Sequence, residues 1–485
     1  MIDMQVLEKD KDSIWYVLAT DEVVRIGDIV RVENIISQVV DLSFADLPGV
    51  LEHILRKSLI PKAFVKEQMQ PEVKSILDTL ADQKLALAKI RGTVEEHGGR
   101  EKFSTGVREF TVRRSKAVPE VVKLKAVLEM LGIDSAENSD LAVALSTEPS
   151  KFGISKDRIG INLITGMKGS GKSYFSKRLL LKLIEAGVVT VVFDLNGEYL
   201  NLWKDPKTGK PNEYAGFLRT FTPKLSMARG NEAPLSVPLN EISYSDFADY
   251  VSLDRQTQMY NELIAFWEDR AKKGERFDLN DLKNHVGTIA NEYVRNGLLG
   301  KIRAAEAYNL FGPSTFAESI KSMKAKGGGA IIINLVGLRS LEREIVVDFV
   351  LRRVNRLCDS REVSSISLFL EEAQLYVTKE KFVDLLTRMR HIGVFPTFIT
   401  NDPTTMPEEL YSLGDNFIVF PFKNEDTLRH LSKAGMVDME TLEVVKHLKQ
   451  RQCIMVGRLT ENFPVFLEIL PQAGVEMGGE TRRLV

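Results

Sequence analysis

The 485-residue chain predicts an α/β protein, with a largely parallel sheet interleaved with helices and a small β-barrel-like domain ahead of it. Three observations predict this. From about Ile159, apolar runs (IGINLIT, VVTVVFDL, AIIINL, SISLFL, FPTFIT, NFIVFPF) alternate with helical stretches, which is the pattern of strand–helix–strand units. The opening residues instead pass through short Val-, Ile- and Tyr-rich runs, SIWYVLA, EVVRIGDIVRVEN and ISQVVDLS, punctuated by Gly and Asp, as strands of an antiparallel domain do. The run IGINLIT then enters GMKGSGKS and a long amphipathic stretch, so a strand, a glycine-rich loop and a helix follow one another.

In chain order, residues 1–125 form the β-barrel-like domain. Helical patterning interrupts it over 46–83, and LALAKIRGTV and EFTVRRSK continue it as strands. Residues 126–150 form a linker, and VPEVVKLKAVLEMLG leads into it with a helix. Residues 151–470 form the α/β domain, broken by a long, mainly helical insertion over 201–326. RQCIMVGRLTENFPVFLEIL reads as two strands of a hairpin, and 471–485, Gly-rich and charged, as an extended C-terminal arm.

Apolar content of 44% and charged content of 27% are those of an ordinary soluble globular protein. With 65 basic and 67 acidic residues, no global basic field advertises a polyanionic partner, although a local basic channel would not show in the net charge. Cys358 and Cys453, far apart, read as buried packing in a reducing compartment. The start, MIDMQVLEKDKDS, is too charged for a signal peptide, and no apolar run reaches the ~18 residues of a membrane span. A soluble, cytoplasmic protein with no membrane partner is expected. The six histidines are scattered and form no metal-ligand pattern.

The glycine loop fits Gly, four residues, then Gly-Lys-Ser at Gly166, Gly171, Lys172 and Ser173. Glycines let the backbone curl so that its N–H groups face phosphate oxygens, and the helix behind presents its positive end. Lys172 reaches the β- and γ-phosphates of ATP, and Ser173 ligates Mg²⁺. The candidate nucleotide-binding residues are Gly166, Met167, Lys168, Gly169, Ser170, Gly171, Lys172, Ser173 and Tyr174. Lys168 either adds charge near phosphate or is simply solvated.

A second strand, ISLFL, ends in two carboxylates, Glu371 and Glu372. Charges at the end of a buried strand are costly unless something pairs with them. Beside a phosphate loop they have a use, because metal coordination and proton abstraction require differently placed groups. Glu371 is assigned to Mg²⁺ and Glu372 to the general base that deprotonates the attacking water.

Three segments together resemble the HerA group of the HerA–FtsK motor ATPases. They are the GSGKS end of the loop; Asp194, Gly197, Glu198 and Tyr199 in VVFDLNGEYL; and LEEAQ, similar to that family's Glu-Glu-Ala-His, with Gln374 in place of His. The stretch AIIINLVGLRSLEREIVVDFVLRRV also resembles the family's strand and helix ahead of the acidic strand. The resemblance implies a RecA-like P-loop ATPase core with a mainly helical insertion, preceded by a small N-terminal β-barrel-like domain. It further implies a homo-hexameric ring that uses ATP to pull double-stranded DNA, commonly with a NurA-type nuclease in DNA end processing. LTRMRHIG resembles the family's segment carrying an arginine that reaches a neighbour's ATP, which places Arg390 in that role with Arg388 as fallback. FPTFIT ends at Asn401, where the family usually carries Gln, so Asn401 becomes the residue that senses γ-phosphate or orients water. Arg158 is a further candidate phosphate-facing arginine. Three alternatives remain open: a conjugation- or packaging-type motor of the same superfamily, an ATP-gated ring scaffold for a nuclease or antiviral effector, and a protein-remodelling ATPase.

Overall fold

Residues 4–19, 22–44, 84–105, 118–133, 140–223, 232–377, 379–433, 435 and 437–477 are described by the structure, a computed structural model. They form two compact units, Met1–Arg158 with Asn416–Leu470, and Ile159–Asp415 with Pro471–Val485. The helical patterning expected over 46–83 and the strand EFTVRRSK lie outside the described residues.

In the second unit the alternating apolar runs become a parallel sheet. Its order is Glu232–Pro234, Leu218–Thr222, Gly329–Asn334, Val189–Asp194, Ile366–Glu371, Val394–Thr400, Asn162–Thr165. Every residue of Val189–Asp194, Gly329–Asn334 and Ile366–Glu371 is buried, as strands covered on both faces must be, and this is why they read as unbroken apolar runs. Because all these strands are parallel, their C-terminal ends share one edge of the sheet. Register pairs Thr165 with Thr400 and Glu371 with Ile399. The strand Val394–Thr400 therefore lies between the strand that feeds the glycine loop and the strand that ends in the two glutamates. The region 201–326 is mainly helical, with helices Tyr244–Tyr250, Gln258–Lys273, Leu279–Gly287, Glu292–Ala307 and Phe316–Ala325. It also contributes the edge strand Glu232–Pro234 and its neighbour Leu218–Thr222 to the parallel sheet.

The first unit holds an open antiparallel sheet in the order Met4–Lys9, Ser13–Leu18, Lys84–His97, Ile35–Phe44, Ile29–Val32, Glu120–Val122. Alternate residues Ile14, Tyr16 and Leu18 pack with Val30, Val32, Val39, Ala86 and Ala88 in its core. The Tyr16 hydroxyl is satisfied by Ser37 Oγ at 2.9 Å.

The same unit contains a second antiparallel set, Asn416–Val419, Gln452–Gly457, Val465–Ile469, Ala142–Ala144 and Lys151–Phe152. The hairpin expected near the C-terminal end is present here. NFIVFPF, which the sequence groups with the alternating runs, instead pairs antiparallel with Gln452–Gly457. Part of the 126–150 segment pairs with the hairpin as a strand. Residues 416–470, placed by sequence with the phosphate-loop domain, thus cluster with the N-terminal strands. Hairpin partners close in sequence make antiparallel pairs readily, whereas parallel pairs need a crossover. Cys358 and Cys453 are buried, in a helix and a strand respectively.

Candidate nucleotide site

The strand Asn162–Thr165 ends at Gly166, and the helix Lys172–Glu185 begins at Gly171, whose φ of 119° is open to glycine and strained for other residues. No side chain caps this helix, so its first N–H groups face the loop as an anion site. Met167, Lys168 and Gly169 are exposed at the loop tip and Ser170 is buried. Tyr174, on the first turn, accepts a hydrogen bond from the backbone N–H of Gln472 at 3.3 Å.

Lys172 is 7% exposed. Its ammonium donates to the carbonyls of Gly166 at 2.7 Å and Met167 at 3.1 Å, and to Asn401 Oδ1. Loss of water around it pulls its pKa down to about 8, with the Glu372, Glu198 and Glu371 carboxylates pulling it back up.

Asn401 follows the strand Val394–Thr400, and the sheet order puts it between Lys172 and Glu372. Its Nδ2 donates to Glu372 Oε1, as does its backbone N–H at 3.2 Å. Gln374 Nε2 donates to Glu372 Oε2 at 2.8 Å, and Thr400 Oγ1 at 3.2 Å. Glu372 itself is left-handed, at φ 47° and ψ 47°, a conformation that costs a non-glycine residue about 1–3 kcal/mol. It is held there by its own N–H, which donates to the Ile399 carbonyl at 2.7 Å.

Glu371 is 3% exposed, and its Oε2 has no hydrogen-bond partner among the described residues. Burial, with Asp194 and Glu198 nearby, holds its pKa well above the usual carboxylate range. Asp194 is fully buried, and burial pushes it up to about 6 against the pull of the Tyr199 and Glu198 N–H groups it accepts, each at 2.9 Å. The hydroxyl of Tyr199 meets Ser176 Oγ at 2.6 Å. A buried, orphaned carboxylate oxygen among other acids is what a divalent cation would satisfy, so Glu371, with Ser173 on the loop helix, fits Mg²⁺.

The other arginines lie elsewhere. Arg390 pairs with Asp415 Oδ1 at 2.9 Å, and Asp415 Oδ2 accepts the Ile161 N–H at 2.7 Å. Gly160 makes room for that carboxylate, since a Cβ there would sit 2.1 Å from Oδ2. Ile161 is at the start of the phosphate-loop strand. At ~3.3 Å per residue, Arg390 is roughly 16 Å along the sheet from its own loop, at the opposite edge. Arg388 is exposed and pairs with Asp384 at 2.8 Å. Arg158 is held within the first unit by Glu461 and by the Gly132 carbonyl at 3.3 Å.

Thr400 and Gln374 as donors to Glu372, and Asp415 as the partner of Arg390, are absent from the sequence reading. Gln374 carried a signal, as a departure from the family pattern two residues beyond the base. Thr400 and Asp415 carried none.

No curated protein matches the chain. Solved structures similar to it include the genome packaging NTPase B204 of Sulfolobus turreted icosahedral virus 2 in complex with AMPPCP (15% identity, 65% of this chain and 100% of that one, TM-score 0.33). Others are VirB4 of Thermoanaerobacter pseudethanolicus (14%, 70% and 99%, TM-score 0.47) and the bacterial conjugative coupling protein TrwBdeltaN70 (14%, 74% and 94%, TM-score 0.46). Residues 162–354 match the family model described as DUF87, the central domain of helicase HerA. That range contains the phosphate loop and the Asp194–Tyr199 segment and ends before Glu371. Among the described residues, no helix is long and apolar enough to cross a membrane. The likeness is thus to the central domain of helicase HerA, over the residues that carry the phosphate loop.

Proposed function

We propose that this chain hydrolyses ATP to move double-stranded DNA, as a homo-hexameric ring, together with a NurA-type nuclease in DNA end processing. The observation that carries the catalytic part is the bonded array Lys172–Asn401–Glu372 at the C-terminal edge of the sheet, with Glu371 buried beside it. Ring, DNA and nuclease are inferred from the likeness of residues 162–354 to the central domain of helicase HerA.

In this mechanism the loop N–H groups and Lys172 bind and orient the β- and γ-phosphates, where fixed donors lower the barrier most effectively. Ser173 and Glu371 would hold Mg²⁺, which when bound would draw negative charge from the phosphate oxygens. Glu372 takes the proton of a water whose oxygen bonds to the γ-phosphorus as the bond to the β-phosphate oxygen breaks. Arg390, out of reach of its own loop, supplies its charge to the loop of a neighbouring subunit.

The test is ATP turnover with and without duplex DNA, alongside particle imaging. Turnover stimulated by duplex, and hexameric rings with DNA in the central channel, are expected, and DNA binding should weaken steeply with salt as counterions are released. Turnover indifferent to DNA in rings that assemble only with ATP would replace the motor by a nucleotide-gated scaffold.

A further inference from the structure

Donor and acceptor counts around Asn401 leave Lys172 no spare donor and Glu372 Oε1 no spare acceptor site for substrate. A lysine ammonium has three N–H donors and an ionised carboxylate about four acceptor sites. Lys172 directs its donors to the Gly166 carbonyl, the Met167 carbonyl and Asn401 Oδ1. Glu372 receives the Asn401 N–H and Nδ2 on Oε1 and Gln374 Nε2 on Oε2, while the single Thr400 hydroxyl proton is divided between Oε2 and the Asp402 carbonyl, each at 3.2 Å. A phosphate oxygen can engage Lys172 only if one of its three bonds breaks. A water can give its proton to Glu372 Oε1 only if one of the two Asn401 donors withdraws. Two of the three bonds to Lys172 come from its own loop. The third comes from the residue that also covers Glu372 Oε1.

We infer that Asn401 is a positioning residue that latches Glu372 in a resting arrangement, and that phosphate, by taking Lys172 from Asn401 Oδ1, releases it. Asn401 suits this as a single short amide whose oxygen faces the lysine and whose nitrogen faces the base. The strained left-handed backbone at Glu372 is held from the same strand, through Ile399, so the base and its latch move against one rigid element. The consequence is that nucleotide binding works against the latch. Apparent affinity is the intrinsic affinity reduced by the fraction of molecules already unlatched. The base is thereby kept covered until phosphate has arrived.

The inference rests on Lys172 and Glu372 forming the nucleotide site, and the experiment separates the two. Affinity for ADP with Mg²⁺ is measured by calorimetry on the full chain, with thermal melting as a check of folding. ADP is used because it has no γ-phosphate for Asn401 to sense. Asn401→Ala is expected to bind ADP about tenfold tighter than the unaltered chain, the scale of one charge-assisted hydrogen bond. Asn401→Ser, too short to span both partners, should tighten binding in the same direction and replaces the alanine variant if that one does not fold. Glu372→Ala should also tighten binding, and Asn401→Ala/Glu372→Ala should bind no tighter than the stronger single variant, because both changes remove one latch. A merely structural Asn401 would give additive effects. Unchanged or weaker ADP binding in folded Asn401→Ala and Asn401→Ser, or strict additivity, overturns the latch. ADP affinity equal to the unaltered chain in Lys172→Ala overturns the nucleotide site itself.

Discussion

At the C-terminal edge of the parallel sheet, Lys172, Asn401 and Glu372 are joined by hydrogen bonds, and Glu371 and Asp194 are buried beside them. At the N-terminal edge, Arg390 is 35% exposed, paired with an Asp415 that also accepts the Ile161 N–H. The first edge gathers groups from strands distant in sequence, and burial there shifts the proton affinities of Lys172, Glu371 and Asp194. The second presents a guanidinium on a short helical turn, Arg388–His391, with one carboxylate to keep it in place. The contrast is between a buried array of charges and a lightly held guanidinium, which under the proposed ring mechanism are the two halves of a site shared between subunits.

The sharpest test of that separation is Arg390→Ala. An arginine supplied to a phosphoryl-transfer site is worth roughly 10³–10⁵ in rate. Arg390→Ala is therefore expected to bind ATP normally and hydrolyse it slower by about that factor. Mixing it with Lys172→Ala subunits should restore part of the turnover, since some interfaces then combine an intact loop with an intact arginine. Steady-state turnover of the mixture, with subunit exchange followed by fluorescence energy transfer, checks this. Full turnover in Arg390→Ala alone would remove Arg390 from the chemistry, and a mixture that exchanges yet stays inactive would mean that Arg390 acts within its own subunit or that turnover requires every interface in the ring.

Within the C-terminal edge, Glu372→Gln should reduce turnover by about 10²–10⁴, the usual worth of a general base, while Glu371→Gln should raise the Mg²⁺ concentration needed for half-maximal binding. Single-turnover rates and Mg²⁺ titrations of the two variants distinguish the roles. If Glu371→Gln loses chemistry at saturating Mg²⁺ and Glu372→Gln does not, the two glutamates exchange assignments.

The loop, the acidic pair and the parallel strands were legible because their signals are local. Glycine, lysine and serine at fixed offsets after an apolar run need no knowledge of the rest of the chain, and five of the six alternating runs take their places in the parallel sheet. What was not legible depends on strand order. Nothing near Thr400 or Asn401 announces that Val394–Thr400 lies between the loop strand and the acidic strand, and it is this neighbourhood that turns both residues onto Glu372. The pairing of Arg390 with Asp415 spans 25 positions. Asn416–Val419 reads like any buried strand, and its direction was decided by the hairpin it joins. Period and composition report burial, whereas direction and neighbour are set by the whole fold.

The smallest expected effect tests the burial that distinguishes the two edges. Lys172 lies 7% exposed, and loss of water brings its pKa down to about 8 even with Glu372, Glu198 and Glu371 nearby. The sign follows from which form binds phosphate. Below pH 8 the free protein already carries the ammonium, so binding takes up no proton at this residue. Above pH 8 the free amine dominates, and nucleotide, which needs the charged form, must bring a proton with it. ADP affinity should be nearly level from pH 7 to 8 and then fall by up to about tenfold per pH unit. Calorimetry in two buffers of different ionisation enthalpy should show proton uptake rising toward one per site across pH 8 to 9.5. Lys172→Arg is the control, because a guanidinium stays charged throughout this range: whatever affinity that variant retains should not acquire the same slope. Affinity in the unaltered chain that stays level to pH 9.5 without proton uptake would mean that Lys172 is solvated as an exposed lysine is, and that the contrast between a buried edge and an exposed one does not extend to its charge.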